Sequence, residues 1–86
     1  MKNKIELEGI ICKDIYWTES RTDFLLFVET IDKVAHIPCY LEGINEDIMK
    51  FDTVSITGCI ESRIVNNKLV IEVHAQEISI VERIEE

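Results

Sequence analysis

Apolar and polar residues alternate with a period of two over most of this 86-residue chain, and this alternation constrains the fold more than any other feature. Successive side chains of a β-strand point to opposite faces, so alternation is typical of strands with one buried face. Between Lys4 and Ile15 the apolar residues Ile5, Leu7 and Ile11 fall on odd positions, as Ile15 does. The sequence therefore predicts a first strand over 4–15 and an all-β chain.

Four further segments predict strands over 22–30, 34–41, 53–63 and 68–81. The run 24–28 is apolar on both faces, which indicates a central strand or one at an interface. Pro38 has no amide hydrogen to donate, so the third strand is expected at a sheet edge or a bulge. Asn66 and Asn67 predict a hairpin turn, because asparagine tolerates the positive φ of such turns.

The patterns of the last two strands also predict side-chain orientation and a bend. In the fourth, Val54, Ile56 and Ile60 are expected to point inward. In the fifth, the apolar positions change phase, which predicts a bulge or sharp bend near Ala75-Gln76. Such a bend allows one strand to belong to two sheets.

One segment departs from the strand pattern. Between Gly43 and Phe51, the residues Ile44, Ile48 and Phe51 recur at helical intervals, and Asn45 can cap a helix. The sequence predicts one short helix here, of about two turns.

Two glycines, Gly9 and Gly58, lie inside predicted strands, where glycine normally weakens pairing. Each is expected to mark a tight corner or a close approach of two backbones. Five strands in the order β-β-β-α-β-β predict an all-β fold, a five-stranded Greek-key OB-fold barrel with one short helix between strands 3 and 4. The whole chain, 1–86, is expected to be one domain.

Charge and cysteine content restrict the function. Nine basic and seventeen acidic residues give a net charge of −8, which repels nucleic acid and anionic membranes in bulk. No apolar run approaches the roughly 18 residues of a membrane span, and residues 1–4 lead directly into the alternation, so a cytoplasmic protein without membrane contact is expected. Cys12, Cys39 and Cys59 lack zinc-ligand spacing and are predicted to be buried thiols.

Catalytic motifs are absent from the sequence. It has two histidines, no Ser or Cys in a nucleophile motif and no glycine-rich phosphate loop. We therefore expect a protein that is not an enzyme and that needs no cofactor or metal.

Three segments resemble a known family. Residues 3–13 (NKIELEGIICK) resemble the opening strand of bacterial single-stranded DNA-binding proteins, and especially of primosomal replication protein N. Residues 51–63 (FDTVSITGCIESR) resemble their fourth strand, and 69–81, which contain HAQEI, their fifth. The resemblance implies an OB fold that binds single-stranded DNA in replication, with other replication proteins as partners.

The chain also departs from this family. Phe51-Asp52 stands where the family commonly reads Lys-Gly, and the aromatic and basic residues of its binding face are sparse here. Single-stranded DNA-binding proteins end in a long tail with an acidic tip, whereas this sequence ends at Glu86, which favours the tailless primosomal type. A chain of this length buries a modest core, so a homodimer or homotetramer is expected.

Binding a single strand requires cations that contact phosphates and flat rings on which bases stack. An OB fold binds on strands two and three and on the loops that join strands one to two and four to five. The candidate nucleic-acid-binding residues on this surface are Lys13, Tyr16, Trp17, Arg21, His36, Tyr40, Arg63 and Lys68. With so few cations, affinity is expected to be weak and to fall with salt.

An alternative interpretation stays open. Asp14, Glu19 and Asp23 lie in or beside the first loop and can cancel its positive charge, while Trp17 can cover the barrel end as ordinary packing. The chain would then be an OB module for protein interaction or assembly, with its apolar second strand and the edge near Pro38 as contact surface. The acidic net charge fits this alternative better.

Overall fold

Residues 3–84 are described by the computed structural model. The predictions for the extreme ends, which concern Met1, Lys2, Glu85 and Glu86, lie outside this range. Six strands are present among the described residues: β1 Ile5–Ile11, β2 Tyr16–Trp17, β3 Arg21–Glu29, β4 Val34–Glu42, β5 Thr53–Val65 and β6 Lys68–Glu82. The all-β prediction is confirmed, and the five expected strands correspond to β1, β3, β4, β5 and β6.

The predicted first strand ends earlier than its alternation suggested. β1 stops at Ile11, and the chain then forms the two-residue strand β2, which the sequence did not predict and which pairs with β3. Ile15 is nevertheless buried, at 8% exposure. Ile15 therefore packs into the core although it lies outside β1, whereas Lys13, also at an odd position, is exposed.

The strands form one mixed sheet in the order β1-β5-β6-β4-β3-β2, and β1 also pairs with β3. These two sets of pairings make a closed circuit of five strands, with β2 attached outside it. β4 and β6 are parallel, whereas the other pairs are antiparallel. The circuit encloses the apolar core, in which Ile11, Leu26, Val54 and Ile56 are fully buried.

The predicted helix over 43–51 is wrong. No residue of this segment is helical, and Phe51 has a φ of 75°, which a right-handed helix does not allow. Ile44 and Phe51 are 59% and 52% exposed, and only Ile48 of the three apolar residues is buried. The helical spacing therefore did not correspond to one buried face.

Contacts with β3 explain why this segment is irregular. The buried hydroxyl of Thr22 donates to the carbonyl of Gly43 at 2.8 Å and accepts from the amide of Asn45 at 2.9 Å. Asn45 does not cap a helix, since its side-chain oxygen instead accepts from the Asp47 amide in a local turn. Backbone groups held in this way are not available for helical hydrogen bonds.

Close backbone approach at the two strand glycines is confirmed. A Cβ at Gly58 would lie 1.9 Å from the carbonyl oxygen of His74, and one at Gly9 would lie 2.3 Å from that of Phe27. Real Cβ atoms do not approach this closely. Both positions therefore require glycine, because any side chain would prevent the close approach of the neighbouring strand.

The bulge predicted near Ala75-Gln76 is also confirmed. Thr57 pairs with Glu77 but Gly58 pairs with Ala75, so Gln76 is the extra residue. The bulge restores the inward orientation of the apolar positions on both sides of the bend.

The β5–β6 hairpin turns at Asn66 and Asn67, whose φ values of 50° and 64° confirm the predicted turn. The expectation that Ile60 points into the core is wrong, because its side chain is 47% exposed. β6 pairs with β4 only at Val73 and His74 among the described residues, so the hairpin beyond them projects away from the closed circuit.

Further expectations concern single elements. β3 is central, since it pairs with β1, β2 and β4. Pro38 lies in the part of β4 that has a described partner on one side only, as a sheet edge requires.

Of the three free thiols only Cys39 is buried, whereas Cys12 and Cys59 are partly exposed, so the prediction of three buried cysteines is wrong for two of them. None of the described residues belongs to a helix long and apolar enough to span a membrane.

Candidate nucleic-acid interface

The outer face of β3 and β4, with the loops beside it, is the surface on which the candidate binding residues were expected, and β6 continues this face next to β4. Strand register places Tyr40 of β4 opposite Asp23 of β3 and beside His74 of β6. Arg21, two residues before Asp23, points to the same outer face. These four side chains form the centre of the surface.

Tyr40 is packed by its neighbours and not open to a base. The guanidinium carbon of Arg21 lies 3.8 Å from the centroid of its ring, and the His74 ring stacks on it at 4.5 Å. Because Arg21 and His74 belong to strands on opposite sides of β4, they cover the two faces of the ring. A base could stack on Tyr40 only after displacing one of them.

The Tyr40 hydroxyl donates to Oε1 of Glu61 at 2.5 Å. Burial, together with this hydrogen bond to an anion, raises the pKa of Tyr40 to about 12. The phenol therefore stays protonated near neutral pH and holds the Glu61 carboxylate in place.

Two of the four predicted phosphate-binding cations are already paired with carboxylates. Arg21 contacts Asp23 at 2.7 Å and Oε2 of Glu72 at 3.0 Å, while Nε of Arg63 contacts Oε1 of Glu72 at 3.0 Å. Glu72 is 5% exposed, so it is a buried anion shared by two guanidinium groups. Burial alone would lower the pKa of Arg21, but the hydrogen bonds to Asp23 and Glu72 outweigh it and raise that pKa.

Lys13 and Lys68 are the other two predicted phosphate-binding cations, and they are not held by carboxylates among the described residues. Both side chains are exposed, and neither has an ion pair among the residues that the structure describes. Lys13 follows β1, and Lys68 begins β6 next to the hairpin turn. These two cations remain available to a phosphate.

A cleft of about 220 Å³ opens between the β1–β2 connection and the β5–β6 hairpin. Three predicted site residues, Lys13, Tyr16 and Arg63, line it together, and Leu25 and Pro38 form part of its floor. Tyr16 is 72% exposed, so its ring is free to accept a stacking partner. Asp14, Asp23 and Glu72 also line the cleft, so it combines cationic, aromatic and apolar groups with three carboxylates.

Trp17 lies on the other side of the same strand. Tyr16 pairs with Asp23 and Trp17 with Thr22, so the two aromatic side chains point to opposite faces. Trp17 lines a separate cleft of about 620 Å³ with Ile48. Its indole is 48% exposed and donates to the carbonyl of Asn45 at 2.8 Å. The indole is thus neither in the core nor beside Tyr16.

His36 lies far along the outer face, towards the free end of the β3–β4 hairpin. It is exposed and packs its ring against Phe27 at 5.5 Å with an interplanar angle of 70°. The structure brings Arg21, Tyr40 and Arg63 around Glu72 and Glu61, but it does not bring His36, Trp17 or Lys68 to the same place.

Sequence reasoning missed the two residues that organise this face, Glu61 and Glu72. A signal was present, because counting back from the Asn66-Asn67 turn pairs Glu61 with Glu72 and Cys59 with His74. That register predicts that both carboxylates share the outer face with Arg63. The register of this hairpin does not show that Arg21, on β3, also contacts the Glu72 carboxylate.

Comparison with known proteins bears on the fold. No family model matches the chain, and no curated protein matches its sequence. Among solved structures, the chain is similar to the dimeric N-terminal domain of PriB protein from Thermoanaerobacter tencongensis, with a TM-score of 0.74 and 23% identity over 94% of this chain and 98% of that one. The chain has an OB-like fold. This confirms the fold that the resemblance to primosomal and single-stranded DNA-binding proteins implied.

Proposed function

We propose that this protein binds single-stranded DNA, as a replication protein of the primosomal type in the cytoplasm. The observation that carries the proposal is the cleft that brings Lys13, Tyr16 and Arg63 together. This cleft lies between the two loops that OB folds use to bind single strands. The likeness to the PriB N-terminal domain supports the same conclusion at the level of fold.

In the proposed complex one base stacks on the exposed ring of Tyr16, while Lys13 contacts a flanking phosphate. Lys68 extends the contact along the hairpin. Arg63 is 47% exposed at its side chain and contacts Glu72 through Nε, so its outer nitrogens can still reach a phosphate. Trp17, Arg21, His36 and Tyr40 stay predictions as binding residues.

Affinity is expected to be weak and strongly dependent on salt. Each phosphate contact releases condensed counterions, so affinity decreases as the salt concentration rises. With only Lys13, Lys68 and part of Arg63 available, few phosphates are neutralised, and the net charge of −8 opposes association.

One observation favours a second candidate function, a protein-interaction or assembly subunit with little affinity for nucleic acid. The buried Glu72 carboxylate contacts both Arg21 and Arg63, the two cations nearest the centre of the face, and Asp23 provides a second carboxylate to Arg21. An acidic OB domain whose central cations are satisfied internally is suited to contacting a protein.

A titration of fluorescently labelled oligo-dT at low salt separates the two functions. Tyr16→Ala should weaken binding about 5- to 150-fold, since base stacking contributes roughly 1–3 kcal/mol per base. Phe51→Ala removes another half-exposed aromatic ring, which lies outside the cleft, and should leave affinity unchanged. An absence of saturable binding at high protein concentration would support the interaction subunit instead.

Charge variants complete the test. Lys13→Gln should lower affinity and reduce the slope of log affinity against log salt by about one unit. Lys33→Gln makes the same charge change at an exposed residue in the β3–β4 connection and serves as control. Equal effects of the two variants would indicate non-specific attraction and not a site at the cleft.

We also propose that the chain forms a homodimer, as the PriB N-terminal domain does in its solved structure. The projecting hairpin presents an apolar face that the sheet does not cover. The strand register places four large apolar residues on the same face of the hairpin. Their exposed fractions are 47% for Ile60, 73% for Ile64, 68% for Leu69 and 61% for Ile71. A contiguous exposed apolar surface of this kind is typical of a contact with another protein surface.

A further inference from the structure

We propose that Cys59, Glu61 and His74 form a site for a divalent transition-metal ion of the zinc class. The three residues lie on the outer face of the β5–β6 hairpin. Their donor atoms, the Cys59 sulfur, a Glu61 carboxylate oxygen and a His74 ring nitrogen, all lie within 4.8 Å of one another. Thiolate, imidazole and carboxylate are the ligands that zinc takes in proteins.

Strand register explains how the three side chains meet. Cys59 and His74 are direct cross-strand partners, so their side chains project to the same face. Glu61 is two residues from Cys59 on the same strand and therefore shares that face. The hairpin is antiparallel and its backbone is fully paired here, which holds all three Cα atoms in a rigid arrangement.

The two separations that involve Glu61 can be compared with those of a tetrahedral site, and the Cys59 sulfur and the His74 nitrogen lie within 4.8 Å of each other. Oε2 of Glu61 lies 3.5 Å from the Cys59 sulfur and 2.9 Å from Nδ1 of His74. Zinc bond lengths imply separations between neighbouring ligand atoms of about 3.3–3.6 Å. The pair of Glu61 and Cys59 already fits, and Glu61 and His74 must separate by about half an ångström to admit the ion.

The groups around the three ligands support metal binding. Tyr40 donates to Oε1 of Glu61, which leaves Oε2 to face the site, and its ring stacks on the His74 imidazole. Nε2 of His74 lies 3.7 Å from a Glu42 carboxylate oxygen, which is longer than a hydrogen bond, so the Glu42 side chain must move closer to accept from it. Metal-binding histidines commonly donate their second nitrogen to a carboxylate, which orients the ring.

The charges and protons balance. A glutamate side chain is ionised near neutral pH, so Glu61 supplies one negative charge. A cysteine thiol must lose its proton to bind a metal. Binding breaks the Cys59 S–H bond, forms the metal–sulfur bond and releases that proton to solvent. The Nδ1 proton of His74 moves to Nε2, so that the Nδ1 lone pair can bind the metal. Thiolate and carboxylate then neutralise the dication, and a water molecule completes four-coordination.

Direct titration of the reduced protein with Zn²⁺ and with Co²⁺ tests the proposal. We expect one equivalent of Zn²⁺ to bind per chain with release of a proton. Co²⁺ should produce a thiolate-to-cobalt charge-transfer band in the near ultraviolet, which reports sulfur ligation in the wild-type protein without any variant. Absence of saturable Zn²⁺ binding, or a Co²⁺ spectrum without that band, would overturn the site.

Variants assign the ligands. Cys59→Ser keeps a hydroxyl that can still bond to Glu61, and it should abolish the band and weaken Zn²⁺ binding by more than about 100-fold, beyond the effect of losing an outer partner. Cys12→Ser alters another half-buried thiol, which bonds to a backbone carbonyl, and should leave affinity within about twofold. Equal losses in the two variants would contradict ligation by Cys59. His74→Gln should lower affinity in the same way as Cys59→Ser.

Discussion

The imidazole of His74 lies parallel to the phenol ring of Tyr40, with the ring centroids 4.5 Å apart and the planes inclined by 8°. Tyr40 belongs to β4 and His74 to β6, and the two residues are register partners where these strands run parallel. Both side chains also contact Glu61, on β5. Three strands are thus joined by side chains at the point where the circuit of strands closes.

This arrangement changes the role expected for Tyr40. An aromatic residue on the outer face of an OB fold is a candidate for base stacking, but here both faces of the ring contact protein groups. Tyr40 therefore contributes to the packing between β4 and β6, whereas the ring of Tyr16 is 72% exposed and can accept a base without displacing a neighbour.

Tyr40→Phe should lower the melting temperature by a few degrees, because it leaves Glu61 without its hydroxyl donor while retaining both ring contacts. Affinity for oligo-dT should not change. Thermal unfolding followed by circular dichroism measures the first effect. Tyr16→Phe removes a hydroxyl from an exposed ring and should leave the melting temperature unaltered; a decrease in both variants would contradict a specific role for the Tyr40 hydroxyl.

Glu72→Gln should strengthen the binding of oligo-dT at low salt, because it frees the half-exposed guanidinium of Arg63 from its carboxylate, whereas Arg21 keeps its contact with Asp23. It should also destabilise the fold by about 1.5–3 kcal/mol, since hydrogen bonds to a buried carboxylate are weakened. Glu77→Gln makes the same charge change on an exposed part of β6. Equal gains in affinity would show that only net charge matters and that the freed guanidinium of Arg63 does not contact DNA.

The buried Asp52 should make stability depend on pH in acid. Its pKa is lowered first by the hydrogen bonds from Arg83 and further by one from the Met49 amide. Because the folded-state pKa is below the unfolded value of about 3.9, the stabilisation is complete above that pH and is lost as pH falls through the folded-state pKa.

Asp52→Asn should cost about 1–3 kcal/mol near neutral pH and flatten the acid limb of a plot of unfolding free energy against pH. Urea unfolding at a series of pH values provides the measurement. Asp32→Asn, at an exposed residue of the β3–β4 connection, should leave the acid limb unchanged. An unaltered limb in Asp52→Asn would show that other carboxylates control acid unfolding.

Gly58→Ala should destabilise the fold by about 3 kcal/mol or more, because its Cβ would overlap the backbone carbonyl of His74. Gly43→Ala should cost only about 1 kcal/mol, since Gly43 has a φ of 76° but open space around it. Denaturant unfolding of both variants tests this ranking. The reverse order would mean that the strand crossing at Gly58 can relax.

Ile64→Lys should shift the protein towards the monomer, because it places a charge in the apolar face of the hairpin. Light scattering after size exclusion measures the mass across a range of concentrations. Ile31→Lys changes a fully exposed isoleucine on the β3–β4 connection and should not alter the mass. A dimer that persists in Ile64→Lys would place the subunit contact elsewhere.

Much of the fold was predictable from local sequence. Alternation over 4–15 and 53–63, the pair Asn66-Asn67 and the phase change near Gln76 each depend on nearby residues, and the structure confirms the strands, the turn and the bulge that they predicted. The helix over 43–51 failed for a tertiary reason, since Thr22, from β3, holds the backbone of that segment in an irregular path.

The candidate site was predictable only in part. Local sequence was enough to show that the chain is built from strands and that backbones approach closely at Gly9 and Gly58, and the resemblance to an OB family indicated a binding surface with its cations and aromatic residues. The contact of Arg21 with Glu72, 51 residues away, and the stacking of Tyr40 on His74 became visible only in three dimensions. Those contacts depend on which strands become neighbours when the circuit closes, and period-two alternation reports which face a residue occupies but not which strand lies beside it.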